Sequence, residues 1–349
     1  NVVLNKHPST ILGSLLMVGI QGTTLDSATK EFLAQIRPNG VILFSRNIES
    51  PQQISKLNDD LQKYASSIEL DPLFIAVDQE GGRVRRLKEP FSAFPPSWEM
   101  AHSATPDKNV IHFARQTAQE LRSAGFNLDF VPVLDMVDEN VDLKSTVIGD
   151  RSFGNDPAVV ARLGTIVIEE MRSKGIIPCA KHFPGHGATI VDSHLDLPID
   201  KRNIQELDIR DLVPFRRAAQ IGVEMMMTAH VLFPTIDELF PATMSQRILK
   251  TLLRDQIGYQ GIIITDDLDM GAVTKTYSTQ TCVIESIRAG ADILLICNSQ
   301  DKAIEALSTL RMAYESKEFD PFQISASLER IASVKKRFQH SLLAPAFLT

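Results

Sequence analysis

The feature that most narrows the fold is a joint that repeats. Four times the chain passes from a helical pattern with basic residues near its end, through one glycine, into a buried apolar run: LRSAGFNLDFVPV, MRSKGIIPCAKHF, RRAAQIGVEMMMTAH and SIRAGADILLIC. Glycine just past a helix accommodates the left-handed backbone that ends it, and cations favour the negative helix terminus. Asp156 before Pro157 and Ser50 before Pro51 have the form of helix caps with proline at the first helical position. Apolar runs at 14–22, 40–45, 73–78, 127–135, 176–183, 224–230, 261–267 and 291–297 are separated by helical patterns. Runs apolar on both faces suit a parallel sheet covered by helices.

Eight such units in 349 residues, with no second zone of composition, predict an α/β fold of the (β/α)8 barrel type. The expected organisation is a single catalytic barrel over residues 1–349, with an amphipathic helix at about 322–342 closing it. A doubly wound open sheet is the competing architecture. Its only sequence support, GHGATI, lacks the third glycine of a dinucleotide fingerprint and does not follow the right strand-to-helix turn.

Barrel enzymes carry their sites at the C-terminal ends of the strands. Polar residues expected there are Asp78, Asp135, Lys181, His182, His230, Asp266 and Asp267. A lone strand-end aspartate is as readily a helix cap as a catalytic group. Ionisable groups on successive strand ends are poorly explained by independent capping. The densest segment is KHFPGHGATIVDSHLDLP at 181–198, which holds Lys181, His182, His186, Asp192, His194 and Asp196. Pro184, Gly185 and Gly187 exclude a regular helix there, and catalytic groups concentrate on loops held by a rigid scaffold.

A net charge of −7 argues against a general nucleic-acid surface. No apolar stretch approaches the ~18–20 residues of a membrane span. Cys179, Cys282 and Cys297 form no disulfide framework; they fit core packing, a reducing compartment and a cytoplasmic location. No signal-peptide pattern follows Asn1.

KHFPGHG followed by DSH, with AVDQEGGRVRRL (76–87), VIGDRSF (147–153) and IITDDLDM (263–270), resembles the β-N-acetylglucosaminidases of glycoside hydrolase family 3, in their single-domain, NagZ-type bacterial form. The likeness runs from about residue 14 to 300 in the right order. It implies a retaining enzyme, working without metal or other cofactor, that removes non-reducing terminal N-acetylglucosamine from 1,6-anhydro-N-acetylmuramyl peptides in peptidoglycan recycling. It further implies Asp266 as nucleophile, His194 as general acid/base and Asp192 as its orienting partner. Asp78, Arg86, Arg151, Lys181 and His182 match the positions that hold the sugar. Asp267 becomes a neighbour whose carboxylate points away, while Asp135 and His230 receive no role.

The chemistry suits that assignment. Retention needs a carboxylate that attacks the anomeric carbon and an acid that protonates the leaving oxygen. An imidazole titrates near neutrality, and a carboxylate two residues away can hold its tautomer. A neutral imidazole would also repel an anionic acceptor less than a carboxylate does, so phosphate is a conceivable competitor of water. A metallohydrolase using His182, His186, His194 and Asp266 is disfavoured, since the spacing of His182 and His186 serves a metal only on a helix. A non-catalytic sugar-binding barrel would have no need of Asp266, Asp192 and His194 together. Chitobiase or broader β-hexosaminidase specificity is the nearest enzymatic alternative.

Overall fold

Eight short strands, all parallel to their neighbours, form the sheet of the computed structural model, which describes residues 11–138, 140–144, 146–189 and 196–343. They are β1 (Leu16–Gly19), β2 (Gly40–Ile42), β3 (Phe74–Val77), β6 (Leu128–Asp129), β7 (Ile177–Phe183), β8 (Met225–Thr228), β9 (Ile262–Ile264) and β10 (Leu294–Ile296). Two further strands, β4 (Gln79–Gly81) and β5 (Val84–Arg85), make an antiparallel hairpin just beyond β3. β1 pairs with both β2 and β10, and a bridge between Ile264 and Ile293 joins the two ends of the sheet. The sheet is therefore a closed barrel with helices in the connections, and the open-sheet alternative is set aside.

Each strand lies inside its expected apolar run. The strands are short because the ladder stops where the chain turns toward the mouth. The run expected at 127–135 shows this: the Val131 amide turns back to the Asp129 carbonyl at 2.8 Å and Pro132 offers no N–H, so β6 ends at Asp129 and Val133 makes only a bridge to Lys181. The four joint glycines, Gly125, Gly175, Gly222 and Gly290, all have positive φ. Asp156 accepts from the Ala158 and Val159 amides and Ser50 from the Gln53 amide, as capping requires. Helix Pro106–Ser123 buries Val110, Phe113, Ala114, Thr117, Ala118 and Leu121 against the barrel, the i, i+3, i+4 stripe of an amphipathic helix. The three cysteines are free and buried.

Two helices, Pro321–Arg337 and Gln339–Leu343, stand where one was expected at about 322–342. The longer helix is tied to the strand-start end of the barrel. Ser327 and Arg330 donate to Asp292 Oδ1 at 2.6 and 2.9 Å. Lys335 is buried, with Nζ 2.8 Å from the Asn39 carbonyl and 4.9 Å from the centre of the Phe74 ring. Burial brings its ammonium down to about 8, with Asp71 only partly opposing. A lysine whose folded value lies below its unfolded value of 10.5 weakens the fold at every pH below the folded value and is relieved as pH rises between the two. Asn39 O keeps the Phe74 amide as a second donor. Lys335→Met should therefore stabilise the protein by roughly 2 kcal/mol at pH 7, with the gain shrinking toward pH 10.5. Urea unfolding at the two pH values measures this, and a loss of stability at pH 7 would refute it.

Candidate active site

The strand ends converge on a cavity of ≈ 280 Å³ lined by Asp78, Arg86, Arg151, Lys181, His182 and Asp266 among others. The β4–β5 hairpin builds one wall. Gly81 and Gly82 turn it with positive φ, and a side chain on Gly82 would meet Pro96 Cβ at 2.7 Å. Gln79 staples the return: its Oε1 accepts from the Arg86 and Leu87 amides at 2.9 and 3.1 Å, which brings Arg86 Nη2 to 3.8 Å from Asp78 Oδ2.

Glu80, buried on the same hairpin, joins two cations. It takes Lys181 Nζ at 2.7 Å and Arg151 through Nε and Nη2 at 2.9 Å each, while Lys181 Nζ also reaches Asp78 Oδ1 at 2.9 Å. Burial alone would push the Glu80 carboxyl up, but Arg151 and Lys181 hold it well below the usual range. Conversely, the carboxylates Asp78 and Glu80 overcome burial and keep Lys181 charged. Paired and hydrogen-bonded charges of this kind are rigid and directional.

The loop that brings in Arg151 is held by Arg83. This guanidinium donates to the carbonyls of Thr146, Val147 and Ile148 at 2.7, 2.9 and 3.1 Å and pairs with Asp150 at 3.2 Å. Arg83→Ala should lower kcat/KM about tenfold, because the loop that aims Arg151 loses its clamp. Steady-state kinetics checks this, and parental kcat/KM would contradict it.

A register shift between Lys181 and Phe183 interrupts the β7–β8 ladder, and both Lys181 and His182 line the cavity. Asp135 sits behind His182. Its Oδ2 lies 2.6 Å from His182 Nδ1, and its Oδ1 accepts the amides of His182 and His186 at 3.1 and 2.8 Å. Facing a carboxylate, Nδ1 carries the proton and Nε2 points to the cavity, 3.9 Å from Asp266 Oδ2. His186, buried beside His182, is pushed down to about 4 by burial and by that neighbour, so it is neutral at pH 7.

Asp266 follows β9. Burial works against its charge, but His182, His230, the Asp267 amide and Lys181 together hold it below the usual carboxylate range. The Asp267 carboxylate turns elsewhere: Oδ1 accepts the Cys297 and Asp269 amides at 3.0 and 2.9 Å, and burial raises it to about 7.

Six of the expected site residues thus share one cavity. Asp192 and His194 lie outside the described residues. Asp135 and His230 prove to be contacts of cavity residues, the one behind His182 and the other against Asp267. Glu80, Gln79 and Arg83 were not singled out, although DQEGGR contains all three. Their signal was the pair of glycines, which marks a tight turn and hence a hairpin folding back on the strand end. Among the described residues no group of three or more His, Cys, Asp or Glu side chains is placed to hold a metal ion, and no helix is long and apolar enough to cross a membrane.

A closed (β/α)8 barrel with an ionised aspartate set among charged hydrogen-bonding groups at its mouth is the layout of a barrel hydrolase. The chain belongs to glycosyl hydrolase family 3: residues 10–334 match the N-terminal domain of that family. It is 40% identical over 307 residues to a β-hexosaminidase of Nitrosomonas eutropha, covering 86% of this chain and 85% of that protein. It superposes on NagZ from Neisseria gonorrhoeae in complex with N-trifluoroacetyl-D-glucosamine with a TM-score of 0.77 at 32% identity, covering 94% and 96% of the two chains. A family 3 β-N-acetylglucosaminidase from a Paenibacillus species gives a TM-score of 0.93 at 34% identity over 99% of this chain, which spans 64% of that longer one.

Proposed function

We propose that this chain is a retaining β-N-acetylglucosaminidase that removes terminal N-acetylglucosamine from GlcNAc-1,6-anhydroMurNAc peptides in peptidoglycan recycling, in the cytoplasm. The observation that carries the reading is Asp266, held below the usual carboxylate range inside a sugar-sized cavity whose lining includes Asp78, Arg86, Arg151, Lys181 and His182. The names of the relatives support the N-acetylhexosamine part of the substrate.

In this mechanism Asp266 Oδ2 attacks the anomeric carbon while Oδ1 stays on the Asp267 amide at 2.7 Å. The aglycone oxygen departs with a proton from His194, which Asp192 orients. Water, deprotonated by His194, then displaces Asp266, and the two inversions give net retention. Asp78, Arg86, Arg151, Lys181 and His182 hold the sugar hydroxyls and acetamide, and they are already oriented by Glu80, Asp135 and the Lys181–Asp78 pair, so little ordering is left for the substrate to supply.

Product analysis after incubation with a purified muropeptide and with chitobiose tests the substrate. Free N-acetylglucosamine should appear faster from the muropeptide; preferential cleavage of chitobiose would move the assignment to a chitobiase. Raising phosphate in the same assay reads the acceptor: hydrolysis predicts free sugar throughout, and sugar 1-phosphate would identify a phosphorylase.

A further inference from the structure

His230 follows β8, is fully buried and does not line the cavity. Its Nε2 lies 2.8 Å from the Asp267 carbonyl oxygen. A carbonyl only accepts, so this nitrogen carries a proton whether the ring is neutral or charged. The other nitrogen, Nδ1, is 2.8 Å from Thr243 Oγ1, which is itself 2.8 Å from Thr228 Oγ1 and 3.0 Å from the Ala229 carbonyl. The imidazole is therefore held from behind by buried Thr243, which Thr228 and the Ala229 carbonyl hold in turn.

Asp267 is held on several sides. Its carbonyl takes His230, its carboxylate takes the Cys297 and Asp269 amides, and its own N–H donates to Asp266 Oδ1 at 2.7 Å. With Oδ1 engaged, Oδ2 is the Asp266 oxygen that faces His182 Nε2 across 3.9 Å.

We propose that His230 is a positioning residue for the nucleophile: by pinning the Asp267 carbonyl it keeps the Asp267 N–H on Asp266 Oδ1 and aims Oδ2 at the anomeric carbon. The proposal rests on Asp266 being the nucleophile. A displacement of about 1 Å in a reacting group costs on the order of 10² in rate, so a splint one residue from the carboxylate acts on turnover and leaves binding alone.

Two amides separate the ring nitrogens. Asparagine places an amide at the Nδ1 position and keeps Thr243 but cannot reach Asp267. Glutamine reaches the Nε2 position. With p-nitrophenyl N-acetyl-β-D-glucosaminide, His230→Asn should lower kcat about 10- to 100-fold with KM within about threefold, and His230→Gln should stay within about fivefold of the parent. Equal loss in both variants, or parental kcat in His230→Asn, overturns the proposal.

A second arm uses Asp266→Ala with azide as external nucleophile, which forms the glycosyl azide and releases p-nitrophenolate. There His230→Asn should change the azide-rescued rate by less than about threefold, since no carboxylate is left to aim. A further 10-fold fall would show that His230 supports the site in general and refute the positioning role. Should Asp266→Ala by itself retain parental turnover, the nucleophile assignment is what fails, and this proposal falls with it.

Discussion

Asp266→Ala should reduce kcat by at least ~10³-fold on any N-acetylglucosaminide, the scale expected when a catalytic side chain is removed. Some stability should go with it, because His182, His230, the Asp267 amide and Lys181 hold the buried carboxyl below its usual range, so the ionised form contributes to the fold at pH 7. Asp267→Ala should behave differently. That carboxylate holds the Cys297 and Asp269 amides, so its loss should show first as a lower unfolding midpoint. Comparing kcat and urea midpoints of the two variants checks the division of labour; the reverse pattern would assign the nucleophile wrongly.

Glu80→Gln should be nearly as damaging, by another route. Glu80 is not proposed to touch the sugar, yet it carries both Lys181 and Arg151. Neutralising it leaves Arg151 without its ion-pair partner and Lys181, only 2% exposed, with Asp78 alone. Breaking a buried pair from one side typically costs about 3–5 kcal/mol, so kcat/KM should fall on the order of 10²- to 10³-fold and the unfolding midpoint should drop with it. Glu80→Asp retains the charge but is too short to bridge both cations, and should recover stability more than activity. A Glu80→Gln enzyme within tenfold of the parent would show that Lys181 and Arg151 are organised by something else.

What could be read from the sequence, and what could not, follows from which interactions are periodic. β9 reads as III and β7 as a run of apolar residues ending in Lys-His, so burial on both faces marks the strands, and the glycine joints mark where helices stop. Barrel closure and strand-end chemistry then follow from the fold class. The contacts that make the site work have no such signature. Arg151 and Glu80 are separated by 71 residues and Asp135 and His182 by 47, and nothing local to either partner announces the other. The β4–β5 hairpin escaped for a related reason: with strands of three and two residues it is too short for an alternating pattern to register. Pro132 has no N–H to give to a ladder and so counts against a continuous nine-residue strand at 127–135.

The most direct test of the account is to trap the intermediate. A 2-fluoro sugar with a good leaving group slows hydrolysis of the glycosyl–enzyme ester more than its formation, so the label accumulates on the attacking residue. After trypsin digestion the relevant fragment is DQIGYQGIIITDDLDMGAVTK, residues 255–275, which contains Asp255, Asp266, Asp267 and Asp269. Fragmentation of that peptide should place one sugar on Asp266. A label on Asp267 or Asp78 would contradict the assignment, as would turnover of the reagent with no covalent adduct on any carboxylate.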